Sequence, residues 1–222
     1  MTTEWTRGWR LGTAGDETLG GGTDTTSRGG WRGYVEDAIA PFGGTLTGVF
    51  RSTGDKLASQ ANGAETGVTA QAAELTIYSR VQTLAPLPLL VWQYGLIDVY
   101  TGSYTAVQTL NSVDRAIRRA FAAGVRSLLW LPLIPLYGSS AVYDTVRAAV
   151  NSGMATRIQT HRDEGRDVFS CVDFTTTNFP VGLYSDGVYR LASTGYAVMG
   201  PLVVAAVEDW MRRVGYAEAS AL

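Results

Sequence analysis

The sequence predicts an α/β fold, a three-layer α/β/α sandwich with a mainly parallel central sheet in flavodoxin-like strand order. Short apolar runs alternate with amphipathic stretches along the chain, which is the pattern of parallel strands joined by helices. The runs at residues 89–92 and 128–131 are apolar at every position. Continuous runs of this kind are typical of central strands that helices cover on both faces.

The first half of the chain supplies two strands and two helices. A strand is predicted at residues 8–13, before a glycine-rich stretch that extends to Gly30. Apolar residues then recur at helical spacing from Trp31 to Ile39, and Pro41 ends that helix. Residues 46–50 form the next predicted strand, and a helix is expected over residues 70–80.

The clearest helix lies between the two continuous apolar runs. Its predicted apolar stripe consists of Val107, Leu110, Val113, Ile117 and Phe121. Another helix is predicted at residues 142–161 and the last central strand at residues 168–174. A terminal helix follows at residues 194–214, with a kink expected at Pro201.

Composition limits the classes of protein that this chain can belong to. Its 222 residues are expected to form a single domain over 1–222, and 45% hydrophobic with 17% charged residues is typical of a folded, soluble protein. A formal net charge of −2 provides no basic field for nucleic acid. The first residues contain no apolar signal segment and no run could span a bilayer. We therefore expect a soluble protein without membrane insertion, located in the cytoplasm or assembled in a virus particle.

Two side chains that often carry chemistry each occur once. Cys171 lies in an apolar run and is interpreted as a small buried hydrophobe. His161, near the end of a predicted helix, is expected to face solvent. No cofactor and no metal site are expected.

Short blocks of polar and glycine residues follow the predicted strands. They are Gly15-Asp16-Glu17-Thr18-Leu19, Gly30-Trp31-Arg32-Gly33-Tyr34, Tyr94-Gly95-Leu96-Ile97-Asp98, and Asp186-Gly187-Val188-Tyr189 followed by Thr194-Gly195-Tyr196. Their order resembles that of the SGNH/GDSL hydrolases, whose blocks are Gly-Asp-Ser-Leu, Gly-x-Asn-Asp and Asp-x-x-His. Gly67 is a plausible match to the isolated loop glycine of that family.

The resemblance implies an acyl-transfer site with several of its residues replaced. In the family a serine attacks the acyl carbon, a histidine accepts its proton, an aspartate orients the histidine, and an asparagine and backbone amides bind the oxyanion. Here Glu17, Ile97 and Tyr189 stand in the places of the serine, asparagine and histidine. Asp186 and Gly67 match the family residues.

These replacements favour a fold kept without catalysis. A carboxylate at position 17 repels a developing oxyanion, and isoleucine donates no hydrogen bond. A tyrosine with the ordinary pKa of about 10 is a poor base at neutral pH. We therefore expect a pseudoenzyme that acts as a structural or interaction protein, for example a virion surface or decoration component. Other protein subunits, in a homo-oligomer or a larger assembly, are its expected partners.

Two alternatives remain open from the residues alone. The vacated pocket could bind carbohydrate or an acyl group, with Asp16, Asp98 and Trp31 as candidate binding residues. Against this, the two carboxylates also suit turn and helix caps, and the tryptophan also suits the core. The second alternative is an esterase or glycosidase with unorthodox catalytic residues, because new sites can be built on old folds.

Overall fold

The computed structural model of the protein describes residues 9–15, 24–26, 29–48, 70–100 and 104–216, without the side chains of 71–73 and 76. Three residues of the predicted site, Asp16, Glu17 and Gly67, lie outside the described residues. The interpretation of these three positions therefore rests on the sequence.

The described strands form one parallel sheet in the order β2-β1-β3-β4-β5. They are β1 (Trp9–Gly15), β2 (Gly44–Gly48), β3 (Leu87–Gln93), β4 (Val125–Trp130) and β5 (Asp167–Ser170). Every neighbouring pair is parallel. The predicted fold class and flavodoxin-like order are confirmed. The order reverses between β1 and β3, and ligands bind beside such reversal points in open α/β sheets.

Helices flank the sheet and fill the connections between its strands. They are α1 (Trp31–Ile39), α2 (Ala70–Gln82), α3 (Leu96–Tyr100), α4 (Ala106–Ala122), α5 (Asp144–Asp163) and α6 (Ser193–Val214). The short helix α3 was not predicted, since five residues are too few to show helical periodicity. Pro201 lies inside α6, and the helix continues past it to Val214.

The core centres on the middle strand and on a close contact between two helices. All seven residues of β3 are buried. Helix α6 crosses α1 so closely that a Cβ added at Gly200 would lie 2.5 Å from Tyr34 Cγ. Within the part of the chain that the structure describes, no helix combines the length and apolar character that a bilayer span requires.

Strand β5 is shorter than predicted, ending at Ser170 although residues 168–174 were expected. Side chains of α5 bind the segment that follows it. Asn151 Nδ2 donates to Asp173 Oδ1 at 2.9 Å, and Arg147 Nη1 donates to the Phe174 carbonyl at 3.2 Å. These bonds satisfy polar groups beyond Ser170 where the chain leaves the sheet, a segment in which Phe174 is buried and Val172 is 57% exposed.

The predicted stripe of α4 is correct at its centre and wrong at its start. Leu110, Val113 and Ile117 are buried, whereas Val107 is 63% exposed. Val107 lies in the first turn, between Thr105 and Gln108, which form an exposed capping box. Thr109, two residues further on, is fully buried, so Val107 lies on the side of the first turns that faces away from the core.

The expectation that His161 faces solvent is wrong, because its side chain is fully buried. Its Nε2 lies 3.0 Å from Asp114 Oδ1 of α4, although the two atoms are not aligned for a hydrogen bond. Its Nδ1 lies 3.3 Å from Arg166 Nη1. The imidazole therefore belongs to the contact between α5 and α4.

Candidate active site

The candidate site lies at the carboxyl end of the sheet, where β3 turns into α3. Gly95 makes this turn with φ +124°, and a Cβ there would approach Thr109 Cγ2 to 3.3 Å. Residues that have a side chain rarely adopt that backbone conformation. The glycine of the Gly-x-Asn-Asp-like block is thus required by the geometry of the turn.

The next residues of this block are directed into the protein. Ile97 is 4% exposed and Asp98 is fully buried. Asp98 Oδ2 accepts a 2.7 Å hydrogen bond from the backbone N–H of Ala70, the first residue of α2. Ala70 follows Gly67 by three residues in the sequence. The carboxylate of Asp98 therefore ties the start of α2 to α3, and the suggested role of Asp98 in ligand binding stays a prediction.

The Asp-x-x-His-like block meets α3 through two aromatic rings. The ring centroids of Tyr189 and Tyr100, the last residue of α3, lie 4.1 Å apart. Tyr189 is 5% exposed, and the guanidinium carbon of Arg190 lies 5.3 Å from its ring centroid. Blocks that are distant in sequence are thus brought together, as the resemblance implied. The expected contact between Tyr189 and Glu17 involves a residue outside the described ranges and stays a prediction.

Asp186 organises the backbone that carries Tyr189. Its Oδ1 accepts hydrogen bonds from the N–H groups of Val188, Tyr189 and Arg190, at 2.8, 3.0 and 3.1 Å. The carbonyl of Val188 in turn accepts a 2.9 Å hydrogen bond from the Tyr137 N–H, in the segment after β4. The loop that contains Tyr189 is therefore fixed at two points.

The end of the segment between β1 and α1 is attached to the start of α6. The Ser193 hydroxyl oxygen accepts a 2.8 Å hydrogen bond from the Thr25 N–H. Asp24 accepts from both the N–H and the hydroxyl of Thr26, and its Oδ2 accepts from the Gly30 N–H. Burial by itself raises the pKa of Asp24, but these hydrogen bonds outweigh it and lower the pKa. Ser193 follows Tyr189 by four residues, so this attachment lies close in sequence to the candidate site.

Trp31 is a core residue rather than a sugar-stacking surface. It is fully buried, and its Nε1 donates a 2.9 Å hydrogen bond to Gln93 Oε1 at the end of β3. Stacking on a sugar requires an exposed ring face. The interpretation of this tryptophan as buried is correct, and it anchors the start of α1 beneath the candidate site.

Sequence reasoning missed the polar residues of α5 that hold the segment after β4. Asn151 accepts from the Leu133 N–H at 2.9 Å and donates to the Leu133 carbonyl at 3.0 Å. Arg147 binds both carboxylate oxygens of Asp144, at 2.8 and 3.1 Å. The available signal was the spacing of residues 147 and 151, which places two polar side chains on one helical face.

Among the described residues, neither Cys171 nor a group of acidic side chains offers a reactive thiolate or a metal site. Cys171 is half-buried, and burial raises the pKa of its thiol to about 12, so the nucleophilic thiolate is disfavoured at neutral pH. Among the described residues, no three His, Cys, Asp or Glu side chains are grouped as metal ligands.

The chain is similar in structure, but not detectably in sequence, to known proteins. No family model matches it, and no curated protein sequence matches it. An acetyl esterase variant crystallised with an acetate ion matches with a TM-score of 0.74 and 18% identity, over 93% of this chain and 99% of that one.

Two carbohydrate esterases of family 3 also match. The protein from Talaromyces cellulolyticus has a TM-score of 0.74 and 17% identity, over 92% of this chain and 99% of its own. The protein from Clostridium thermocellum has a TM-score of 0.69 and 16% identity, over 94% and 99% of the two chains. A lipolytic protein of the G-D-S-L family from Veillonella parvula covers 88% of this chain at a TM-score of 0.65 and 19% identity.

These comparisons show that the chain has the fold of the SGNH/GDSL hydrolases, as the sequence blocks predicted. They overturn the expectation of a non-catalytic structural protein, because the matched proteins that are named here are esterases and lipolytic proteins. They also give no support to a virion surface or decoration role. Of the interpretations drawn from the sequence, a hydrolase with unorthodox residues fits them best.

Proposed function

With the SGNH hydrolase fold as its scaffold, we propose that this chain hydrolyses short acyl esters of carbohydrates, using Glu17 where the family uses serine. The observation that carries the proposal is the match to an acetyl esterase over 93% of this chain and 99% of that one. The contact between Tyr100 and Tyr189 supports it, since it joins the two blocks that flank the family's active site. We also propose that residues 1–222 form a single domain.

In the proposed reaction the Glu17 carboxylate acts as a general base on water. It accepts one proton while the water oxygen forms a bond to the acyl carbon. The bond from the acyl carbon to the alcohol oxygen then breaks, and the alkoxide accepts the proton from Glu17. The products are a carboxylic acid and an alcohol, and no covalent acyl intermediate forms.

This mechanism removes the electrostatic objection to a glutamate at position 17. A carboxylate that takes a proton from water becomes neutral as negative charge develops on the carbonyl oxygen, so the repulsion falls in the transition state. Backbone N–H donors do not depend on the side chain. The replacement of serine by Glu17 therefore removes no amide from the family's oxyanion hole.

Tyr189 is proposed to donate a hydrogen bond to the substrate rather than to act as a base. A phenol of ordinary pKa, about 10, keeps its proton at neutral pH and is a donor there. Ile97 donates nothing from its side chain, so a donor elsewhere in the site compensates in part. In this scheme Glu17 moves the proton and Tyr189 stabilises charge.

The test is acetate release from 4-nitrophenyl acetate and from acetylated xylan by the purified chain, its Glu17→Gln variant and a matched Glu208→Gln variant. Glu208 is a half-buried residue of α6. We expect Glu17→Gln to lower kcat by about 10²- to 10⁴-fold, the usual contribution of general acid–base catalysis. Glu208→Gln should retain wild-type activity.

A serine-directed inhibitor, phenylmethylsulfonyl fluoride, distinguishes this activity from a contaminating serine esterase. The proposed activity has no serine nucleophile and should be insensitive to it. Single turnover in ¹⁸O-labelled water should place the label in acetate and none in Glu17. Activity equal to that of a heat-denatured control on both substrates would overturn the proposal, as would full activity in Glu17→Gln.

A further inference from the structure

We infer that Asp186 is a positioning residue that holds Tyr189 through the backbone, rather than a charged partner of a catalytic base. The inference rests on the proposed function, because it concerns the residue that we propose to donate to the substrate. It assigns to Asp186 a role different from that implied by the resemblance, in which the aspartate orients a histidine ring.

The hydrogen bonds of one carboxylate oxygen support the inference. Asp186 Oδ1 accepts from the N–H groups of Val188, Tyr189 and Arg190, with all three distances between 2.8 and 3.1 Å. An acceptor bound to three consecutive amides fixes the backbone of the loop at the residue that carries the phenol. Asp186 is itself exposed, so it reaches these amides from the outer side of the loop.

The chemistry of tyrosine leads to the same conclusion. A histidine has a second ring nitrogen that an aspartate can orient, whereas the single polar group of a phenol is its hydroxyl. The backbone of Tyr189 and the packing of its ring therefore help to set the direction of the ring. The ring of Tyr100, with its centroid 4.1 Å from that of Tyr189, supplies the packing. Asp186 fixes the backbone through its hydrogen bonds to the amides.

A second set of contacts supports the same loop from its other side. The Val188 carbonyl accepts a 2.9 Å hydrogen bond from the Tyr137 N–H. At the neighbouring position, a Cβ added to Gly138 would lie 3.2 Å from the Gly187 carbonyl oxygen. The loop thus packs against the segment after β4, and loss of the Asp186 hydrogen bonds should shift the loop locally without unfolding it.

To hold the loop through its backbone amides, residue 186 needs an oxygen that accepts hydrogen bonds. It does not need a negative charge for this role. Asparagine retains that oxygen, and alanine removes it. A carboxylate that acts through its charge would fail in the asparagine variant as well. Asp186→Asn and Asp186→Ala therefore separate the two roles, and Asp209→Ala, an exposed aspartate of α6, serves as the matched control.

We expect Asp186→Asn to keep kcat within about fivefold of wild type, with an unchanged pH profile, because its amide oxygen still accepts the three bonds. Asp186→Ala should lower kcat by about 10- to 100-fold, since a displacement near 1 Å can cost about 100-fold in rate. Asp209→Ala should resemble wild type. Equal losses in the two Asp186 variants, or a shifted pH profile in Asp186→Asn, would overturn the inference.

A measurement without substrate separates this inference from the proposed function. Amide hydrogen exchange should be faster at residues 188–190 in Asp186→Ala and close to wild type in Asp186→Asn. A crystal structure of Asp186→Ala should show the Tyr189 ring displaced from Tyr100. If the wild-type chain hydrolyses no ester, these results still decide whether Asp186 holds Tyr189. Unchanged exchange and an unmoved ring in Asp186→Ala would overturn the inference by themselves.

Discussion

Tyr100 and Tyr189 pack with ring centroids 4.1 Å apart and ring planes inclined at 45°. The first ends the short helix after β3, and the second lies in the loop before α6. The contact joins the block that contains Ile97 to the block that contains Asp186. Because phenylalanine preserves this ring contact, a Tyr189→Phe variant tests the hydroxyl of Tyr189 separately from its ring.

Tyr189→Phe is expected to lower kcat by about 10- to 100-fold and to leave the free energy of unfolding within about 1 kcal/mol of wild type. The ring keeps its packing on Tyr100, while the proposed donor to the substrate is lost. Ester hydrolysis and urea unfolding of the same preparation provide the two measurements. A variant with full activity would show that the hydroxyl has no part in the reaction.

Tyr184→Phe is the matched control for the loss of a tyrosine hydroxyl. Tyr184 is 7% exposed and its ring lies 5.2 Å from that of Tyr137. Its hydroxyl has no hydrogen-bond partner among the described residues, and burial raises its pKa. Removing an unsatisfied buried hydroxyl should leave activity unchanged and stability equal or higher by up to about 1 kcal/mol.

Gly200→Ala is expected to destabilise the protein by about 1–3 kcal/mol, although alanine favours helix over glycine by about 1 kcal/mol. The new Cβ would lie 2.5 Å from Tyr34 Cγ and 3.0 Å from Tyr34 Cβ. These atoms are close to the backbone of α1, so relief requires the two helices to move apart. Urea unfolding gives the free energy directly.

Gly153→Ala tests whether the clash at Gly200, and not glycine replacement itself, causes the loss. Its Cβ would lie 2.5 Å from Leu110 Cδ1, an atom at the end of a side chain that can rotate. The gain in helix propensity should offset much of the cost, leaving stability within about 1 kcal/mol of wild type. A larger loss at Gly153 than at Gly200 would contradict this account of helix packing.

The stability of the protein should fall as pH drops below the ordinary His161 pKa of 6.5. Burial lowers the pKa of His161; Asp114 and Glu164 oppose this shift, whereas Arg118 and Arg166 reinforce it. The folded protein therefore resists protonation that the unfolded chain accepts. The contribution of this group is complete above pH 6.5 and is lost progressively below it.

The measurement is the free energy of unfolding at about pH 7.5 and pH 5.5 for wild type and His161→Gln. Glutamine does not titrate, so the variant should lose less stability than wild type between the two values. The carboxylates titrate in both wild type and variant, so their contributions to the pH dependence of the unfolding free energy cancel in the comparison. Equal pH dependence in both proteins would show that the buried imidazole does not resist protonation.

Local pattern was sufficient for much of the fold. The continuous apolar runs correctly predicted β3 and β4, because a strand covered on both faces has no polar side. The stripe at Leu110, Val113 and Ile117 predicted α4 for a similar reason, since one helical face packs on the sheet. The order of short blocks predicted the family fold through the residues that turns and helix starts require.

Tertiary contacts decided what local pattern did not contain. His161 is polar and stands on a charged helix, yet it is buried, with Asp114 of α4 and Arg166 just after the end of α5 lying against its two ring nitrogens. Val107 fits the apolar stripe, yet it is 63% exposed in the first turn of α4. Burial depends on which elements lie opposite, and the periodicity of one element does not specify that.

The candidate site also combines features that the sequence determines with features that only the tertiary structure decides. The sequence by itself determined which residue types stand in the family positions, because Glu17, Ile97 and Tyr189 are fixed by their place in the blocks. Only the tertiary structure decided that Tyr189 packs on Tyr100 and that Asp186 binds three backbone amides. The physical reason is that side-chain identity is local to the chain, whereas the direction of a ring or a carboxylate is set by the atoms that folding brings around it.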